Sequence, residues 1–523
     1  MIYTSERTDL KLEIPNVSIT EYALRHAERL ADKPALIDGP SGRSLTYGQL
    51  ADGIKKVAGG LYARGFRKGD VLAIYCPNMP EYALVFNAVA SVGGINTTVN
   101  PLYTAAELAK QLNDANARFL VTVPPFLDKA LEAAGSSSVE EVFVFGEGEG
   151  ARSFSELMST DSPAPAVEID PKNDLVVLPY SSGTTGLPKG VMLTHHNLVA
   201  NLCQVDGFEE QKRMGEDEII MAMLPFFHIY GMIVVMKLAL AGGATLVSMP
   251  RFDMEEFLGL VQQYKATTLP LVPPVVLGLA KSPLVDQFDL SSVKTIFCGA
   301  APLGRELSIE TSQRIGCPIM QGYGMTEASP VTHLSSMDPD KSRQGAIGKV
   351  IPDTEVRVVD VESGRDCAQG EDGELWIRGP QIMRGYLNQP EETADCIDSE
   401  AWYHTGDVGY VDEEGFFFIV DRVKELIKYK AMQVSPAELE ALLVTHPAIA
   451  DTAVIPSPDE EAGEIPKAIV VLKEPEAASD EMADEIMAFV ADNVAPHKRV
   501  RLLDFAEQIP KSASGKILRR VLV

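Results

Sequence analysis

Short apolar runs rich in β-branched residues alternate with stretches of helical periodicity along much of this chain. The runs at 71–75, 119–123, 244–248 and 293–298 are followed by helix-like segments at 80–92, 126–134, 253–264 and 303–315. Alternation of this kind predicts doubly wound parallel sheets with helices on both faces. From about residue 345 the texture changes: short strand candidates at 356–359, 374–377 and 416–420 are separated by Gly and Asp turns and predict a small antiparallel β-subdomain over 345–420. After Asp421 come KELIKYK, a helix from Pro436 to about His446, strands at 452–455 and 468–472 and a helix near 481–493. That is a second α/β unit of about a hundred residues, long enough to fold separately. The fold class expected is α/β, with a large N-terminal domain over 1–420 and a smaller C-terminal domain over 421–523.

Length agrees with this division, since 523 residues exceed what one core usually serves. The balance of 46 basic against 74 acidic residues gives a net charge of −28. Such a surface excludes nucleic acid and anionic membranes as main partners. The longest apolar stretch, 229–246, is broken by Lys237, so no membrane span is expected. Glu6 and Asp9 leave no room for a secretory leader, and the final Val-Leu-Val is no peroxisomal address, which makes the cytoplasm the default compartment. Six scattered cysteines, without CxxC or matching His spacing, argue against a disulfide framework or a zinc site. No oligomeric state is legible.

Candidate chemistry lies first in YSSGTTGLPKGV at 180–191. Gly183, Gly186 and Gly190 allow backbone N–H groups to close around an anion, and Lys189 supplies a cation. The P-loop NTPase spacing, counted from Gly183, lands on Pro188 and fails. Composition alone also fits a Gly/Ser/Thr-rich surface loop. A second lysine-bearing loop, PKSASGKILRR, closes the chain at 510–520. If the ligands are polyanions, an acidic protein must gather cations locally, and Arg422, Lys424, Lys428 and Lys430, with Lys511, Lys516, Arg519 and Arg520, are the clusters expected to do so.

With LPFFHIYG at 224–231, GAAPLG at 299–304, QGYGMTEASP at 321–330, GELWIRGPQIMRGYLN at 373–388, WYHTGD at 402–407 and DRVKELIKYKAMQVSPAELE at 421–440, the chain resembles the adenylate-forming superfamily of acyl-CoA ligases, luciferases and peptide-synthetase adenylation domains. FHIYG, GAAPLG and QIMRGYLN make it most similar to the 4-coumarate-CoA ligase branch. The resemblance implies attack of a carboxylate on the α-phosphate of ATP, then thiol attack by CoA on the acyl-adenylate. Two anions must first be brought together, and Lys516 is the residue expected to bridge them. The resemblance assigns nucleotide binding to Ser181, Ser182, Gly183, Thr184, Thr185, Gly186, Lys189, Gln321, Gly322, Tyr323, Gly324, Thr326, Asp407 and Arg422. Within that set Asp407 and Arg422 take the ribose, Tyr323 the adenine and Thr326 the α-phosphate. Glu327 offers a hard oxygen to the Mg²⁺ that accompanies ATP. His228, Ile229, Tyr230, Gly299, Ala300, Gly322, Gly324, Pro330 and Val331 map onto the acyl pocket, with His228 also gating the thiol. Lys516, His228, Glu327 and Thr326 form the expected catalytic group.

The same resemblance implies a mobile C-terminal domain that turns about a hinge near Lys424, exchanging Lys516 for a loop with Lys428, Lys430, Ala431 and Gln433 in the thioester step. Relatives usually carry glycine where Ala431 stands, and its methyl group bears on the CoA half-reaction. A pocket lysine of some relatives is replaced by Phe297 or Cys298, an apolar floor that tilts preference toward unsubstituted aryl or aliphatic acids. A fatty-acyl-CoA synthetase and a non-catalytic adenylate-binding scaffold are the alternatives. A peptide-synthetase module is disfavoured because IYGMIVVM after His228 has no aspartate for an α-amino group.

Overall fold

Strand Val71–Tyr75 is buried along its whole length because it lies inside an eight-stranded sheet, hydrogen-bonded to Ile95–Thr98 on one side and Ala117–Thr122 on the other. A parallel strand covered on both faces needs an unbroken apolar run, the pattern read in the sequence. The computed structural model describes the chain apart from residues 8–11, 160–161, 182–187, 210–213, 302, 344, 430–431, 460–461, 512–515 and 523, and apart from the side chains at 339, 432, 433 and 520. Beyond Ile95–Thr98 the sheet continues through parallel Leu175–Ser181 to antiparallel Lys189–Thr194 and Gly385–Tyr386. A second, nine-stranded sheet runs parallel from Pro34–Asp38 through Thr245–Ser248, Ile219–Ala222, Thr268–Leu271 and Thr295–Cys298 to Ile319–Gly324. Antiparallel Val331–Leu334 and Lys349–Val350 extend one edge and Ser44–Thr46 the other.

One core joins the two sheets around helix Pro80–Ser91, whose residues 82–90 are all buried. Pro80 starts it where a missing N–H does no harm. Capping boxes start four more helices, Ser18 with Glu21, Thr46 with Gln49, Thr104 with Glu107 and Thr194 with Asn197. The apolar stretch after Ile229 winds as a π-helix over Tyr230–Lys237 and continues as Leu238–Gly242. Lys237 is fully buried there; its amine donates to Asn87 Oδ1 at 2.6 Å and lies 4.0 Å from the centre of the Phe86 ring. Burial drives its pKa well below the lysine range. Among the described residues no helix is long and apolar enough to cross a membrane.

A five-stranded antiparallel sheet follows, of Glu355–Val359, Gly373–Arg378, Tyr403–Val411 and Phe417–Arg422, with Tyr3–Thr4 at its edge. Two of these strands escape sequence reading. Tyr403–Val411 contains the polar, Gly-broken HTGD, and Tyr3–Thr4 is too short to show a period. Residues from Ile427 onward build a separate core on a sheet of Ile427–Tyr429, Met432–Val434, Ile449–Asp459, Gly463–Leu472 and Leu502–Phe505, packed under helices Pro436–Leu443 and Asp480–Asn493.

Candidate active site

Ligands of open α/β sheets gather at the carboxyl ends of parallel strands, and the motif residues lie there. Ser181 ends Leu175–Ser181, and Lys189 opens the next strand. Gly299 and Ala300 follow Thr295–Cys298, beside the QGYG of Ile319–Gly324.

Gly324 is where the chain must be bare. A Cβ there would stand 2.0 Å from the Pro330 carbonyl oxygen, which accepts from the Met325 N–H at 3.0 Å. The turn this closes is the 3₁₀ segment Thr326–Ala328, with Thr326 and Glu327 buried. The Glu327 carboxylate accepts from the Ser181 hydroxyl at 3.0 Å and from the Tyr386 hydroxyl at 2.9 Å. Its backbone carbonyl accepts from the Met383 N–H at 2.8 Å. A buried carboxyl group held this way beside Leu175–Ser181 presents hard oxygen, the kind of donor a divalent cation takes. Among the described residues no group of three or more His, Cys, Asp or Glu could cage an ion alone.

A second chain of bonds links three elements. The Tyr323 hydroxyl donates to Asp407 at 2.6 Å, and Arg422 Nε donates to the other Asp407 oxygen at 2.9 Å. Asp407 and Arg422 are register partners of adjacent antiparallel strands, so the pairing follows from the ladder. Glu374 accepts from the Gly406 N–H at 2.8 Å, and Gly406, at φ +71°, makes the bend that aims Asp407. Desolvation first, and the Asp407 charge second, push the Tyr323 phenol well above its usual range, so it stays a donor. Asp407 was expected to take the ribose together with Arg422; in the structure its carboxylate already accepts from both Tyr323 and Arg422.

Lys516 belongs to this group electrostatically. Desolvation is the main cause of a lowered pKa, the Arg422 charge is the next, and Glu425 and Asp407 act in opposition. The amine therefore shares a neighbourhood with Asp407 and Arg422. Arg519, three residues on, pairs with Glu425 at 2.6 Å and Glu440 at 2.7 Å, and Lys511 with Asp451 at 2.6 Å. These two were expected to gather polyanions; their charges are instead spent on neighbouring acids that tie the C-terminal segment to 425–454.

In the group expected to line the acyl pocket, the His228 ring accepts the Tyr230 N–H at Nδ1, 3.3 Å away, and burial lowers its pKa to about 4. The ring is neutral at physiological pH, with its proton on Nε2. The Tyr230 hydroxyl donates to the Phe297 carbonyl at 3.1 Å, which lays its ring over Gly299, where an added Cβ would meet Tyr230 Cε1 at 3.0 Å. Ala300 takes φ +71°, a strained value for a residue with a side chain. Val331 is tied at both N–H and C=O to the Asn201 amide. Ile229 and Cys298 are buried, and burial pushes the Cys298 thiol up to about 12. Gly322 faces Leu334, and Gln321 Oε1 caps the Leu303 N–H at 3.1 Å.

Lys189 is ion-paired with Glu392 and lies 5.0 Å from the Tyr386 ring centre. Lys424 and Lys428 are exposed, and Lys428 pairs in register with Gln433. Ser182, Gly183, Thr184, Thr185, Gly186, Lys430 and Ala431 lie outside the described residues, as does the Gln433 side chain. Sequence reasoning missed Asn78, Tyr386 and Glu392. Asn78 is buried; it accepts the Phe226 N–H and donates to the Ala222 and Leu224 carbonyls, holding the turn that leads to His228. Tyr386 stood inside a quoted motif, whereas Asn78 and Glu392 carry no local signal.

Residues 24–387 match the AMP-binding enzyme family and residues 438–516 the AMP-binding enzyme C-terminal domain. The chain is 44% identical over 530 residues to 4-coumarate--CoA ligase 2 of Petroselinum crispum, covering 100% of this chain and 96% of that one. Crystal structures of an anthranilate CoA ligase with anthranoyl-AMP (TM-score 0.88, 28% identity, 98% of each chain) and of a benzoate CoA ligase from Burkholderia xenovorans LB400 (TM-score 0.86, 26% identity, 97% and 99%) share the fold.

Proposed function

The chain belongs to the AMP-binding enzyme family, and from that premise we propose that it is an ATP-dependent carboxylate–CoA ligase of the 4-coumarate-CoA ligase kind. It acts on hydroxycinnamic or other aryl acids. The observation that supports this reading is the bonded cluster of Tyr323, Asp407 and Arg422 on three strands, with Lys516 of the C-terminal segment close enough for the Arg422 and Asp407 charges to act on its amine.

In the first step a carboxylate oxygen bonds to the α-phosphorus of ATP while the bond to the β-phosphate bridge breaks and pyrophosphate leaves. Lys516 lies across carboxylate and α-phosphate and stabilises charge that grows in the transition state. Asp407 and Arg422 orient the ribose, Tyr323 flanks the adenine, and Thr326 gives a hydroxyl to the α-phosphate. The loop of Ser181, Ser182, Gly183, Thr184, Thr185, Gly186 and Lys189 receives the outer phosphates. Glu327 is the residue that would hold Mg²⁺, which supplies charge neutralisation to the phosphates. In the second step the CoA sulfur bonds to the acyl carbon, its proton is lost, and AMP leaves with the former acyl oxygen. His228 borders the acyl group and the thiol's approach; being neutral, it adds no charge to repel or trap the thiolate.

The division at 420/421, with a hinge near Lys424, explains how Lys516 clears the site for the thiol and the segment of Lys428, Lys430, Ala431 and Gln433 takes its place. ATP, CoA and a small carboxylic acid are the partners, and the cytoplasm is the compartment that supplies them. The buried, apolar Phe297 and Cys298 favour a second reading of the acid, an unsubstituted aryl or medium- to long-chain aliphatic one.

The test is pyrophosphate release and CoA-thioester formation followed together, with ATP, Mg²⁺ and CoA, over cinnamic, 4-coumaric, benzoic and fatty acids. Both products from one acid class are expected. Pyrophosphate without thioester would point to Ala431 and another acceptor; neither product would leave a non-catalytic scaffold.

A further inference from the structure

The Lys189 amine, which the reading above gives to the outer phosphates of ATP, is already engaged. Its partner is Glu392, in the first turn of the short helix Pro390–Cys396. The lysine side chain is 16% exposed and the glutamate 52%, so the acid reaches in from solvent to a cation seated beside the Tyr386 ring. The Tyr386 hydroxyl in turn bonds Glu327, and its backbone N–H donates to Thr393 Oγ1 at 2.8 Å, next to Glu392. Helix, phosphate lysine and metal-site carboxylate thus form one connected unit. The Lys189 pairing holds the Glu392 carboxyl below its usual range, and the charge of Lys424, at the proposed hinge, acts on it in the same sense.

We propose that Glu392 is a positioning residue that occupies Lys189 as an internal anion, competing with the outer phosphates of ATP and with pyrophosphate. ATP must displace its carboxylate to reach the lysine. When pyrophosphate has formed, the carboxylate retakes Lys189 and speeds its departure. Weaker ATP binding is exchanged for faster clearing of the first product before the thiol step. The inference rests on the ligase reading, because only that reading sends a polyphosphate to Lys189.

The full chain and Glu392→Gln are compared by calorimetric titration with MgATP and with magnesium pyrophosphate, without acid or CoA, at low and high salt. The glutamine variant is expected to bind both about three- to tenfold more tightly, a gain that shrinks as salt rises. Pyrophosphate should inhibit its thioester formation more strongly by the same factor, and Glu392→Asp should fall between the two. Equal or weaker binding by the glutamine variant, with the parent binding normally, overturns the competition and leaves the ligase reading standing. A parent chain that binds neither ligand removes the ligase reading and this inference together.

Discussion

Lys516 and Tyr323 show how much of the chemistry depends on single side chains. Replacing Lys516 with Ala should lower acyl-adenylate formation at least about a hundredfold, the size seen when one preorganised charge-stabilising donor is lost. Acid-dependent exchange of labelled pyrophosphate into ATP measures it, and exchange near the parent rate would remove Lys516 from the first step. The pH profile carries an independent sign. Only the protonated amine bridges two anions, and its folded pKa is depressed, chiefly by desolvation. Adenylation should therefore decline on the alkaline side earlier than an ordinary lysine would dictate. His228 contributes nothing to the acid limb until its pKa of about 4 is approached, so the rate should show no loss near pH 6.5 from imidazole protonation. Tyr323→Phe deletes the 2.6 Å bond to Asp407 but keeps the ring. One hydrogen bond of about 1 kcal/mol is lost, so the KM for ATP should rise roughly fivefold with little change in kcat.

At the scale of elements, the sequence spoke clearly where burial dictated pattern and was silent where pairing did. Val71–Tyr75 and Pro80–Ser91 were legible because a two-sided core demands continuous apolar residues. Lys189–Thr194 and Tyr403–Val411 were not read as strands, yet both are, and each takes part of its backbone bonding from a neighbour remote in sequence, Gly385–Tyr386 and Gly373–Arg378. The turn before His228 depends on such a neighbour. Asn78 makes all three of its bonds to backbone groups at 222–226, and Asn78→Ala would leave three polar groups without partners. A loss of about 2–4 kcal/mol is expected in chemical unfolding, with a larger rise in KM for the acid than for ATP. Equal changes in both KM values would mean that the turn does not shape the acyl end.

For the whole molecule, the two half-reactions should separate along the chain. Lys428→Ala and Gln433→Ala are expected to leave pyrophosphate release near the parent rate while thioester formation slows at least about tenfold, one lost contact of roughly 1.4 kcal/mol. Rapid-quench measurement of acyl-adenylate and thioester in one experiment decides it, and a matched fall in both products would end the division of labour between Lys516 and the 428–433 segment. Net charge of −28 makes local cations scarce, and the structure shows that several are consumed in holding the C-terminal unit together. Arg519 braces Glu425 and Glu440, and Lys511 braces Asp451.

The α/β class and the order of the elements came from the sequence by itself, and the family resemblance carried by its motifs named Lys516, Glu327, Asp407 and Arg422 as candidates. Periodicity reports burial, and loops rich in glycine or lysine are spelled locally. What only the tertiary structure decided is which charges are already committed. Tyr323 bonds to Asp407, Arg519 belongs to two glutamates, and Glu392 rests on Lys189, pairings between positions 84, 79 to 94, and 203 apart in the chain. Coulombic and hydrogen-bond partners are set by distance in space, which residue order does not encode until the sheets have brought their strand ends together.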